Sequence, residues 1–130
     1  MASSRTTSIV TIRRDGVPVG VGFLVGRDRV VTCAHVVNAA LGLDVRGQDR
    51  PDESFLVEFA LIQSGVVRTA KVVLWVPPPR AGAAPDGEAD IAGLELTEPA
   101  PRSAKPLRFA TPRPHSAVDV YGYPAQPARP

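Results

Sequence analysis

The sequence predicts an all-β fold, an antiparallel barrel or sandwich. Two observations lead there. Short apolar runs are separated by turn residues about every 8–12 positions. Only one stretch between them, just after Cys33, carries a helical pattern. At 130 residues the chain has the length of one domain, and no segment repeats another.

The elements follow in order. "SIVTIRR" reads as a first strand, and Asp15-Gly16 supplies a tight turn. "VPVGVGFLV" is the second strand. Its Gly20 and Gly22 mark a bulge or a place where another backbone comes close. "GRDR" turns the chain and "VVT" runs back as the third strand. "AHVVNAAL" then gives a short helix that ends near Gly42. A polar loop, "GLDVRGQDRPDE", leads to "SFLVEFAL" as the fourth strand, and "QSG" turns into "VVRTAKVVLWVP" as the fifth. Simple alternation puts Val66, Arg68, Ala70, Val72, Leu74 and Val76 on one face of that strand and Val67, Thr69, Lys71, Val73 and Trp75 on the other. Neither face is purely apolar, as expected of a long twisted strand buried at one end. "PPPRAGAAPDGEA" is a loop, "DIAGLEL" a sixth strand, and "AVDVYGYPAQ" a further strand and turn.

Composition narrows the function. The apolar fraction of 44% suffices for a core, and fifteen basic against thirteen acidic residues leave a net charge of only +2. The arginines are scattered without a basic run or interleaved aromatics, so no nucleic-acid partner is expected. The N-terminus has no apolar region of a secretory signal, and no apolar run approaches the ~18 residues of a membrane span. Cys33 stands alone, which fits a reducing compartment. These features predict a cytoplasmic protein with no membrane contact. No His, Cys and Asp share metal-ligand spacing, and no glycine-rich loop has a phosphate-binding pattern, so neither a metal nor a cofactor is expected.

The informative stretch is "RVVTCAHVVNAA", where His35, one of only two histidines, sits between a strand and a helical turn. Taken singly, His35 reads as a core or rim histidine, and Asp90 as an ordinary turn aspartate. Their surroundings say more. "GVGFLVGRDRVVTCAHVV" resembles the histidine segment of trypsin-like (chymotrypsin-fold) serine peptidases, and "ADIAGLEL" resembles the strand that carries their catalytic aspartate. "VDVYGYP" resembles the strand that opens their second barrel. The order agrees, with a separation of 55 positions from His35 to Asp90.

The resemblance implies an antiparallel six-stranded Greek-key barrel of the chymotrypsin type, with one short helix after the histidine strand. It implies a division into residues 1–110, the first barrel, and 111–130, an interbarrel linker with the opening strand of an incomplete second barrel. It also makes His35 the general base and Asp90 the group that fixes its tautomer. Glu88 and Asp86 are the next carboxylates in line.

The nucleophile of that family stands in a Gly-x-Ser-Gly-Gly segment of the second barrel. The serines here are Ser3, Ser4, Ser8, Ser54, Ser64, Ser103 and Ser116, and none has that setting. Cys33, two residues before His35, is expected to pack as a small apolar residue. His115, among prolines, reads as a solvated loop residue.

The resulting expectation is the N-terminal part of an intracellular trypsin-like serine endopeptidase whose serine lies outside this chain, and which is inactive by itself. The resemblance further suggests the protease effector domain of a larger bacterial protein, with a protein or peptide substrate. The rival reading is a catalytically inactive single-barrel module for protein–protein contact. A downstream Gly-x-Ser-Gly separates the two.

Overall fold

The computed structural model describes residues 6–63, 65–80 and 89–108. Six strands form a closed antiparallel barrel: β1 (Ile9–Arg14), β2 (Val17–Gly26), β3 (Arg29–Thr32), β4 (Phe55–Glu58), β5 (Val67–Val76) and β6 (Ile91–Leu96). Their order around the barrel is β1-β2-β3-β6-β5-β4. A short helix, α1 (Ala34–Ala40), follows β3. No helix among the described residues is long and apolar enough to cross a membrane.

Local chemistry accounts for the hairpins. Asp15 and Gly16 have φ of 51° and 80°, the double positive φ that a two-residue turn between twisted strands requires, and Arg14 pairs with Val17 across it. Inward-facing residues such as Val10, Ile12, Leu24, Val57, Ala70 and Leu94 are fully buried. Beyond β6 the chain packs back over the β2–β3 turn. There the Arg27 guanidinium donates to the carbonyls of Ala100, Pro101 and Ala104, and the Leu107 amide donates to Leu24.

Two strands depart from simple alternation. β4 is shorter than its apolar run suggests, because Phe59 ends it. The Phe59 carbonyl accepts from Ile62 and Gln63 in a tight turn, and its ring is completely buried in the core. In β5 the register against β6 shifts between Val72 and Leu74. One extra residue there exchanges the two faces. Leu74 therefore points outward, while Trp75 packs against the core and donates its indole N–H to the Gln48 carbonyl. The predicted strand beyond residue 110 and the "QSG" serine, Ser64, lie outside the described residues.

Helix α1 lies on β2 at Gly20. A Cβ at that glycine would stand 2.6 and 2.7 Å from the two methyl groups of Val36. Val36 is β-branched and buried, so it cannot swing aside. Gly20→Ala is accordingly expected to destabilise the domain by about 1–3 kcal/mol, read as a lower melting temperature. Adding Val36→Ala should restore much of the loss. An unchanged melting temperature for Gly20→Ala would show that the helix does not sit this close.

The barrel closes on few bonds. β1 and β4 pair only through Thr11 with Glu58 and Ile12 with Val57. Glu58 secures this seam: its carboxylate accepts the Gly65 N–H and the Arg13 Nε–H, both at 2.9 Å. The Gly65 amide, then the Arg13 guanidinium, hold its carboxyl below the ordinary value of 4.5. A depressed folded-state value contributes stability above the unfolded carboxyl's range and loses it as the pH falls through the folded value. The stability gap between the native protein and Glu58→Gln should therefore be present at neutral pH and close in acid. Urea unfolding at both conditions measures it, and a gap independent of pH would rule out the carboxylate as its source.

Candidate functional site

The site forms where two neighbouring strands end together. Thr32, the last residue of β3, pairs with Ala92 near the start of β6. The residues just after β3 and just before β6 thus meet at one rim of the barrel. Thr32 also ties this end to β2, its hydroxyl donating to the Val21 carbonyl at 2.7 Å.

Helix α1 begins at this rim without a cap of its own. Cys33 occupies the N-cap position in extended conformation and makes no side-chain capping bond. Helices leave their first N–H groups without internal partners. Asp90 supplies one from across the rim: its Oδ1 accepts the backbone N–H of His35 at 2.8 Å. Its other oxygen, Oδ2, lies 2.5 Å from His35 Nδ1. One carboxylate therefore fixes both the start of the helix and the ring of its second residue.

The carboxylate is itself well held. Asp90 has φ of 66°, a conformation that Asp and Asn adopt more readily than other side chains. Its amide donates to the Pro77 carbonyl at 3.0 Å, at the end of β5. At its far end α1 stops in a Schellman arrangement, with Gly42 at φ of 72° and the Leu43 amide bonded to the Asn38 carbonyl at 2.9 Å. Asn38, buried within the helix, donates to the carbonyls of Val45 and Gly47 and ties the next loop down. The helix that carries His35 is thus braced at both ends.

The pair faces outward. The side chain of His35 is 48% exposed and that of Asp90 is 24% exposed. With Nδ1 beside the carboxylate, Nε2 is the ring nitrogen left to accept a proton from a third group. An imidazole so oriented can take a proton from such a group and return it.

The structure thus brings together His35 and Asp90, the two residues singled out in the sequence. Glu88, Asp86 and His115 lie outside the described residues. Cys33 departs from expectation: it is exposed instead of packed in the core, because the N-cap position turns its side chain to the rim. Desolvation by its neighbours and, second, the Asp90 carboxylate push its thiol above the ordinary value. That disfavours the thiolate a nucleophile would need.

Cys33, His35 and Asp90 offer one donor atom each within 4.8 Å of one another. Linear spacing hides this cluster, because Asp90 arrives from another strand. The sequence did carry one signal, a helix start with a poor capping residue and so an N–H in want of an acceptor. A separate groove of about 410 Å³ opens at the β1–β4 seam, lined by Arg13, Leu56 and Glu58 among others, and includes neither His35 nor Asp90.

A closed six-stranded antiparallel barrel with one short helix is consistent with a chymotrypsin-like fold. Residues 20–130 match the family model of the trypsin-like peptidase domain, and the chain belongs to that family. No curated protein matches the sequence.

Proposed function

We propose that this chain is the N-terminal part of a cytoplasmic serine endopeptidase, with His35 as general base and Asp90 as its orienting partner. The observation that carries the reading is the two-oxygen grip of Asp90 on His35, one oxygen on the backbone N–H and one on Nδ1. A surface ion pair needs only one of these bonds. A ring that must shuttle protons in a fixed attitude needs both its backbone and its tautomer set.

In the reaction, Nε2 of His35 takes the proton of a serine hydroxyl as the oxygen attacks the peptide carbonyl. The ring then passes that proton to the leaving amine. Asp90 stabilises the imidazolium in between and stays ionised. The serine belongs to a second barrel outside this chain, since no serine here has the Gly-x-Ser-Gly setting. Val31 and Leu74, 36% and 52% exposed, flank Gly93 on the outside of the sheet and support a covered face there. The wider role we propose is that of a protease effector domain in a larger bacterial protein.

Fluorophosphonate labelling of the native gene product, read by intact mass, tests the reading. A labelled polypeptide heavier than 13.7 kDa is expected. An unlabelled product of 13.7 kDa would instead favour a binding module.

A further inference from the structure

We propose that Cys33, His35 and Asp90 form a binding site for a thiophilic divalent cation, represented by Zn²⁺, whose occupancy silences His35. The inhibition rests on the catalytic reading of His35; the binding does not.

The donor set is one thiol sulfur, one imidazole nitrogen and one carboxylate oxygen, all within 4.8 Å of one another. That mixture suits Zn²⁺, which accepts Cys, His and Asp ligands in a four-coordinate shell. Mg²⁺ and Ca²⁺, which prefer oxygen donors alone, are disfavoured. Three protein ligands leave a fourth position for water. Neighbouring ligands around Zn²⁺ stand about 3.5 Å apart, given bonds of about 2.0–2.3 Å. The cluster therefore has to tighten by about 1 Å at its widest, while Nδ1 and Oδ2 open by a similar amount. Cys33 and His35 are exposed, and rotation of their side chains about the held Asp90 carboxylate supplies that adjustment. The Asp90 Oδ1 bond to the His35 amide holds the frame meanwhile, leaving Oδ2 as a single-oxygen ligand.

The proton balance explains the effect. The ion takes the place of the proton between Nδ1 and Oδ2. That proton moves to Nε2, so the ring remains neutral, and the Cys33 thiol releases its own proton to solvent as sulfur binds. With Nε2 carrying a proton, the ring has no lone pair for the serine hydroxyl. The family's usual pair becomes a metal switch here through the sulfur at the helix N-cap.

Titration of the 130-residue chain with Co²⁺, followed by Zn²⁺ competition, tests the site directly. The expected result is one equivalent of Co²⁺ bound, with a near-ultraviolet thiolate-to-cobalt charge-transfer band that Zn²⁺ abolishes. Zn²⁺ should also protect Cys33 from iodoacetamide. Cys33→Ala should remove the band and weaken Zn²⁺ binding by more than about 100-fold, beyond the loss caused by removing a mere outer-shell partner. Absence of the band in the native chain would overturn the proposal, as would undiminished Zn²⁺ affinity in Cys33→Ala. These readouts need no serine. A failed fluorophosphonate label would therefore defeat the peptidase reading and the silencing that rests on it but leave the metal site standing, whereas failed metal binding would defeat this proposal alone.

Discussion

Under the proposed function, a serine-bearing protein with His35 replaced by alanine is expected to lose about 10⁶-fold in kcat for peptide-bond cleavage. The size follows from the group's place in the reaction. In the proposed mechanism the nucleophile's proton passes to the leaving amine through His35. Cys33 is near, but its thiol is held protonated by desolvation and by Asp90. The substitution leaves the frame intact, because Asp90 grips the backbone N–H of residue 35, which alanine retains. KM and the melting temperature should therefore move little while kcat collapses. Peptide hydrolysis with a chromogenic substrate, run beside a thermal melt, measures both. A loss below about 10-fold would remove His35 from the general-base role, since proton transfer by a positioned side chain contributes about 10²–10⁴-fold even in modest cases.

Much of the barrel was legible in the sequence because its information is local. Asp15-Gly16 specifies its turn through positive φ, and the alternation along β2 and β6 specifies which side of each faces inward. What escaped was set by contacts distant in sequence. The bulge at Val72–Leu74 reverses the outer half of β5, and nothing in "KVVLWV" marks which residue is the extra one. Phe59 looked like a strand residue, yet its burial is bought by a turn. The site shows the same division. His35 and Asp90 stood out through the blocks around them. Their double contact could not be read, because it depends on β3 and β6 being neighbours in a barrel where β4 and β5 intervene in the chain. Cys33 was misplaced for a related reason: an apolar neighbourhood in sequence says nothing about which way an N-cap side chain points.

Asp90→Asn separates the electrostatic part of the site from its architecture. Asparagine tolerates the φ of 66° as aspartate does, and its amide oxygen can still accept the His35 backbone N–H. The amide nitrogen then faces Nδ1. Being a donor, it pairs only with an unprotonated Nδ1, which forces the ring proton onto Nε2, the atom that should receive the serine's proton. The expected cost is about 10⁴ in kcat, the scale of the same change in a peptidase with a Ser-His-Asp triad. Asp90→Ala, by contrast, also loses the helix cap and places an ordinary side chain in the left-handed region, at about 1–2 kcal/mol of strain. A protein whose kcat falls in both variants but whose melting temperature falls only in the alanine variant would show that one carboxylate does two separable jobs. Near-normal turnover in Asp90→Asn would mean that another carboxylate orients the ring. Glu88 and Asp86, a little upstream in the sequence, would then be tested by the same pair of substitutions.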